Sequence, residues 1–318
     1  MGTALAQVIA TNGHLVRLWS IETDVLEEIR DQRRNTKYLE GIELDDFVQA
    51  FWELPRAIAG ARLVILSVPS QVVPGMARDL APHLRNGQVV LNVAKGLEAK
   101  TGRRLSEVLA AELGDSFRKL IGSMGGPAIA IEMARGMPMA VIVGVEDEKA
   151  RQRIQGLLQN EHLKVEVTSD VAGLELCSTL KNVYAIALGM CDGMGFGMNT
   201  KAFIGTLAIQ EMASICLALG GLPETVHGLA GLGDLLTTGW SQHSRNRTLG
   251  EKLGSGADWQ TFLREKTVEG AGACRTIKEL TAGSGESRPL LEMIYAVLFA
   301  EQPAADTARR FLRDFSYS

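Results

Sequence analysis

The chain has 318 residues, 46% of them hydrophobic and 22% charged, enough apolar material for two domains that each bury a core. Its formal net charge of -4 gives no reason to expect nucleic acid or an anionic membrane surface as partner, so any bound anion must be gripped locally. The four cysteines, Cys177, Cys191, Cys216 and Cys274, form no CxxC pair and are expected as reduced, buried thiols rather than disulfides or a zinc site.

The chain opens Met1-Gly2-Thr3-Ala4-Leu5-Ala6. This reads as the last glycine of a G-x-G-x-x-G fingerprint running into the helix behind it, which makes Gly2 and Thr3 candidate contacts to a dinucleotide pyrophosphate. The strand and the first two glycines that usually precede them are absent from the sequence. A start placed roughly ten residues late would account for this, as would a shortened paralogue that no longer holds the cofactor. In the strand order 3-2-1-4-5-6 the first strand is central, so its absence predicts unpaired edges in the middle of the sheet.

From His14 to Thr168 short β-branched runs alternate with amphipathic stretches, the pattern of a doubly wound parallel α/β sheet. Strands are predicted over His14-Trp19, Ala61-Val68, Gln88-Ala94, Lys119-Gly122, Met139-Val145 and His162-Val167. Helices are predicted over Asp24-Arg34, Pro74-Leu84, Leu105-Leu113 and Glu148-Gln159, from apolar residues at three- and four-residue spacing. Glu22 closes the first of these strands about 20 residues after Gly2, where an acidic residue suits the adenine ribose of NAD. Arg30, Arg33 and Arg34 follow closely and would suit a 2′-phosphate instead; a solvated helix face explains the same charges.

Beyond Ser169 the β-type runs stop, and helical periodicity broken by glycines covers Asp170-Leu188, Ala202-Leu219, Arg247-Leu253, Thr276-Leu280 and Pro289-Phe299. The expected division is therefore a Rossmann-like nucleotide domain over 1–168 and a helical substrate domain over 169–318. No uninterrupted apolar stretch reaches the ~18 residues of a membrane span, and no signal peptide is visible, so the cytoplasm is the expected compartment. A homodimer is the base-rate expectation for assembly. None of the five histidines stands beside a carboxylate at useful spacing, so each is expected to be structural or superficial.

Several ordered blocks carry a more specific signal. They are Val93-Ala94-Lys95-Gly96-Leu97-Glu98, Leu180-Lys181-Asn182-Val183-Tyr184-Ala185-Ile186, Cys191-Asp192-Gly193-Met194-Gly195-Phe196-Gly197-Met198-Asn199-Thr200-Lys201-Ala202, Gly228-Leu229-Ala230-Gly231-Leu232-Gly233-Asp234-Leu235 and Ser244-Arg245-Asn246-Arg247. Together they closely resemble the NAD(P)-dependent glycerol-3-phosphate dehydrogenases, in order from Gly2 to about Lys278. The resemblance implies a helical second domain of the 6-phosphogluconate dehydrogenase-like type and NAD(P)H as cofactor. The implied reaction reduces dihydroxyacetone phosphate to glycerol 3-phosphate for glycerophospholipid synthesis, with Lys181 as general acid or base. The chemistry has its own logic: reducing a ketone leaves an alkoxide that needs a proton donor, and an ammonium drawn out of water gives its proton up more readily.

The resemblance also implies roles for other positions. Asp234 orients the Lys181 ammonium near the substrate hydroxyls, with Thr238 one turn further on; capping the next helix is the alternative for Asp234. Ser244, Arg245 and Asn246 hold the substrate phosphate, where donors and a guanidinium fork meet, and Arg245 also reaches the cofactor; a surface ion pair is the alternative for Arg245. Lys95 faces a phosphate at a strand's carboxyl edge, or is a solvated loop lysine. Glu269 contacts the nicotinamide side of the cofactor. In Ser123-Met124-Gly125-Gly126-Pro127-Ala128-Ile129-Ala130, Ala128 stands where the family usually has a hydroxyl or amide, so that a substrate contact is either lost or taken over by backbone at Gly126 and Ala130. Ser178 stands where glycine is common, and Leu207 where bacterial members often have arginine. A related β-hydroxyacid or 6-phosphogluconate-type dehydrogenase, and a non-catalytic binder of phosphorylated metabolites, are the competing readings.

Overall fold

The computed structural model describes residues 1–316, which form two compact units: Met1–Lys95 with Leu105–Val171, and Gly96–Arg104 with Ala172–Ser318, whose last two residues lie outside the described part. The first unit runs α1 (Gly2–Thr11), β1 (Val16–Trp19), α2 (Thr23–Gln32), β2 (Val48–Phe51), α3 (Leu54–Ile58), β3 (Leu63–Leu66), α4 (Val73–Leu80) and β4 (Val89–Asn92). It continues through α5 (Leu105–Leu113), β5 (Ile121–Gly125), α6 (Ala130–Ala134), β6 (Met139–Val145), α7 (Glu148–Leu158) and β7 (Leu163–Thr168).

The sheet is in two pieces. β1 pairs with β2 in parallel, and β3-β4-β5-β6-β7 form a separate five-stranded sheet. Inner edges are thus open at β1 and β3, where the sequence predicts a gap. Strand β4 shows why the unit is doubly wound. Its Val89 and Leu91 enter one core with Leu5, Ile154 and Val165, while Val90 enters a second core with Leu80 and Leu109. Side chains of period two feed helices on both faces.

Two expectations for this unit are corrected. The sheet is not wholly parallel: β6 runs antiparallel to β5, with Gly122 opposite Val145. Between them the chain offers only the five-residue α6, too short for the crossover a parallel return needs, so it doubles back. The fourth predicted strand is also shifted, because Asp115–Leu120 winds into a 3-10 turn and β5 begins only at Ile121. Strand β2 was not anticipated; its four residues give too few alternations to stand out.

The second unit is helical: α8 (Val171–Gly193), α9 (Met198–Ala218), α10 (Pro223–His227), α11 (Asp234–Trp240), α12 (Arg245–Ser255), α13 (Trp259–Glu265), α14 (Glu269–Thr281), α15 (Pro289–Phe299) and α16 (Ala304–Asp314). Residues Gly96–Arg104 belong to this unit, with Gly102 against Thr276 and Leu280 of α14. Helix α8 is its axis, buried from Leu174 through Cys191, its charged and polar site residues included. Gly250 shows how closely its neighbours approach: a Cβ there would stand 1.9 Å from the Ile186 carbonyl oxygen, so α12 crosses α8 backbone to backbone. Although no uninterrupted apolar stretch is long enough, α8 and α9 are on average apolar enough to pass for membrane spans, and 94% of the α8 window is buried within the protein. All four cysteines are buried and none forms a disulfide among the described residues.

Candidate active site

Lys181 sits near the middle of α8, 5% exposed, because the preceding apolar turn is packed on every side. Its ammonium donates to Asp234 Oδ1 and, at 3.0 Å, to Thr238 Oγ1. Asp234 is 2% exposed and begins α11. The glycine-rich run before it winds into a π-helical turn over Leu229–Gly233. Gly231 makes this possible: a Cβ there would lie 2.0 Å from the Val226 carbonyl oxygen. Such turns re-aim the residue that follows, here the aspartate. Thr238 lies one helical turn beyond Asp234, so carboxylate and hydroxyl reach the ammonium from the same face.

A second network starts one residue on. Asn182 Nδ2 donates to Glu269 Oε2 at 3.2 Å, and its Oδ1 accepts from Asn246 Nδ2 at 2.9 Å. Asn246 Oδ1 in turn accepts the Gly270 N–H at 2.9 Å. The lysine helix, the start of α12 and the start of α14 are thereby tied together through neutral amides. Both faces of the Asn246 amide are engaged within the protein. Ser244 caps α12, its Oγ accepting the Arg247 N–H at 3.2 Å. Arg245, the first residue of that helix, is exposed and makes no ion pair among the described residues. One polar atom nearby lacks a partner: Ser178 Oγ, one turn before Lys181, is buried without a hydrogen bond.

In the first unit, Gly2 starts α1 beside the carboxyl end of β3. A Cβ on Gly2 would come 3.0 Å from Ser67 Cβ, which is the close helix-to-strand packing expected of a fingerprint's last glycine. The α1 N-terminus has no side-chain cap, a feature suited to a pyrophosphate. Thr3 is buried, and its hydroxyl accepts from Asn35 Nδ2 at 2.8 Å. Glu22 is the N-cap residue of α2; Lys37 beside it holds its carboxyl below the usual range. Arg33 turns away from the cofactor role the sequence offers it. In a left-handed conformation, φ 54°, it forks onto the Leu44 carbonyl at 2.9 and 2.6 Å and pairs with Asp46. Arg30 pairs with Asp31. Lys95 is half-buried at the end of this unit's β4 segment. Gly126 is buried with φ 98°, and Ala130 opens α6, so both offer backbone rather than side chain.

Sequence reasoning passed over a cluster deeper in the helical unit. Asp192 bridges Lys201 and Arg247, and Glu211, buried under α15, accepts from Tyr184 and the Leu290 and Leu291 N–H groups. Their spacings of 9, 55 and 27 residues carry no local pattern, though Asp192, Lys201 and Arg247 all lie within the recognised blocks.

An α/β nucleotide-type unit followed by a helical unit with a carboxylate-held buried lysine defines a two-domain dehydrogenase architecture. The models of the NAD-dependent glycerol-3-phosphate dehydrogenase N-terminus and C-terminus match residues 1–151 and 170–309, and the chain belongs to this family. It is 39% identical over 307 residues to glycerol-3-phosphate dehydrogenase of NAD(P)+ type from Moorella thermoacetica, covering 96% of this chain and 90% of that protein. It is 36% identical over 314 residues to the Exiguobacterium sp. protein of the same name, covering 98% and 92%. The crystal structure of glycerol-3-phosphate dehydrogenase from Coxiella burnetii superposes with a TM-score of 0.88 at 30% identity, over 98% of this chain and 95% of that one. The match over both units decides between this family and the 6-phosphogluconate-type alternative.

Proposed function

We propose that the chain is an NAD(P)H-dependent sn-glycerol-3-phosphate dehydrogenase, working in the cytoplasm and reducing dihydroxyacetone phosphate for glycerophospholipid synthesis. The observation that carries this reading is the buried Lys181 ammonium, aimed by Asp234 and Thr238 and set within the family's blocks. When bound, NAD(P)H supplies a hydride from nicotinamide C4 to the substrate's C2. Lys181 delivers its Nζ proton to the oxygen on C2 as the carbonyl bond opens, and regains a proton from water. Asp234 stays ionised, holding the ammonium in place and offsetting its charge. Arg245 and the first turn of α12 grip the phosphate, and Lys95 is the cation that the first unit offers to a phosphorylated ligand. Ser244 and Asn246 shape that turn, and Glu269, which accepts from Asn182, serves the nicotinamide side of the cofactor. Gly2, Thr3 and Ala130 offer backbone N–H groups to the cofactor, Glu22 its carboxylate to the ribose, and Gly126 its backbone to the substrate in place of the side chain Ala128 lacks.

Following NADH and NADPH oxidation with dihydroxyacetone phosphate, unphosphorylated dihydroxyacetone and β-keto acids tests the reading. Turnover restricted to the phosphorylated ketone is expected. Cofactor binding without turnover would make the protein a binder only, and a preference for keto acids would move it to the β-hydroxyacid class.

A further inference from the structure

Two residues beyond Arg245, α12 carries a second arginine that turns into the protein. Arg247 Nε donates to Asp192 Oδ2 at 2.7 Å, and Nη1 reaches Glu251 Oε2 at 3.1 Å. Asp192, near the end of α8, accepts the Lys201 ammonium of α9 at 2.8 Å on both oxygens. The Lys201 and Arg247 side chains are only 8% and 13% exposed, and the ammonium also lies 5.0 Å from the Trp240 ring of α11. One carboxylate thus joins cations from two helices to a third.

Stability alone does not explain the arrangement. Drawing three charges out of water costs several kcal/mol, and apolar side chains of similar volume would hold the helices at least as well. Ion pairs with a guanidinium differ from apolar contacts in being directional: they fix rotation and register. The helices they fix are the ones that matter to the reaction, since α8 carries Lys181 and α12 begins with Arg245. Their backbones already touch at Gly189 and Gly250, where a Cβ would stand 2.0 Å from the Arg247 carbonyl oxygen and 1.9 Å from that of Ile186. Contact between glycines sets the distance but tolerates sliding. The Asp192–Arg247 pair removes that freedom within three residues of the phosphate-gripping turn.

We propose that Arg247, held by Asp192, is a positioning residue: it pins the first turn of α12 relative to Lys181 and so sets the length of phosphorylated ketone the site accepts. This rests on the glycerol-3-phosphate reading above. Arg247 touches no substrate in this role; it acts through Arg245.

The test compares wild type, Arg247→Met and Arg247→Lys on dihydroxyacetone phosphate and on 4-hydroxy-3-oxobutyl phosphate, one methylene longer between carbonyl and phosphate. In Arg247→Met the Asp192–Lys201 pair survives, so no buried charge is stranded. The expected result is a KM for dihydroxyacetone phosphate raised about tenfold or more, with kcat within about threefold and cofactor affinity unchanged. The preference for the shorter ketone should fall by a similar factor, and Arg247→Lys should recover part of it. An unchanged chain-length preference would overturn the proposal, as would KM, kcat, cofactor affinity and melting temperature all worsening together. If the methionine variant does not fold, Arg247→Lys alone decides, since any pin that needs the guanidinium must weaken there. A wild type that ignores dihydroxyacetone phosphate sinks the functional reading and this proposal with it, whereas an active wild type with an indifferent Arg247 sinks only the proposal.

Discussion

At the scale of single residues the site is a problem of buried charge. Lys181 and Asp234 are 6% and 2% exposed at the side chain, so neither can lose its partner cheaply. Replacing Asp234 by Asn leaves an unbalanced ammonium, and a loss of about 3–5 kcal/mol is expected in denaturant unfolding alongside a collapse in turnover. Ser178 presents the opposite case. Its hydroxyl is buried without a partner, a cost of about 1–3 kcal/mol, so Ser178→Ala should raise the melting temperature and leave kcat unchanged. A fall in kcat would mean that the hydroxyl meets a ligand.

Lys181, Asp234 and Ser244 stand out in the sequence because they lie within ordered blocks, and helical spacing alone anticipates that Thr238 joins Asp234 at the Lys181 ammonium. What the sequence did not show is where side chains spend their hydrogen bonds. Arg33 bonds to its own loop, the Asn246 amide to Asn182 and Gly270, and the Asp192 cluster spans residues with no periodic relation.

At the scale of elements, α8 organises the helical unit, and its neighbours approach at glycines. Gly250→Ala should therefore be severely destabilising, because its Cβ meets backbone that cannot move aside. Gly272 within α14 has nothing within 4 Å, and Gly272→Ala should stabilise by about 0.5–1 kcal/mol in the same unfolding assay. Helix α15 is held differently. The Glu211 carboxylate accepts the Leu290 and Leu291 N–H groups at 2.7 and 2.9 Å and the Tyr184 hydroxyl at 2.9 Å. Burial nevertheless pushes the carboxyl up to about 7, against the pull of these donors and of Arg288. A carboxyl with a raised folded pKa favours folding while protonated. Its contribution is full below the ordinary Glu value of about 4.5 and is lost as pH climbs to about 7. Glu211→Gln should flatten that part of the stability profile. A profile as steep as wild type would show that Glu211 does not titrate there.

Long helices and strands with several periods were read almost to the residue: Leu105–Leu113, Met139–Val145 and Pro289–Phe299 coincide with their predicted spans. Of the elements missed, β2, α3, α6, α10 and α13 have four to seven residues, too few turns or alternations for periodicity to speak, whereas α16 has eleven and was missed as well.

At the scale of the whole molecule, the sequence conveyed a doubly wound unit followed by a helical one, and also the open edges at β1 and β3. It did not convey the antiparallel β6, because strand direction depends on how far the connecting segment can reach rather than on the strand's own residues. Cofactor binding is a property of the folded chain and can be read without chemistry. NADH or NADPH at about a hundred times its dissociation constant should add roughly 2.7 kcal/mol of stability, seen as a concentration-dependent rise in melting temperature. No rise with either nucleotide would favour the non-catalytic alternative.

The most direct measurement concerns one amine. Steady-state reduction of dihydroxyacetone phosphate by Lys181→Ala should show kcat lowered by about 10²–10⁴-fold, with NAD(P)H affinity nearly unchanged. Activity surviving within a few-fold of wild type would mean that the proton comes from elsewhere.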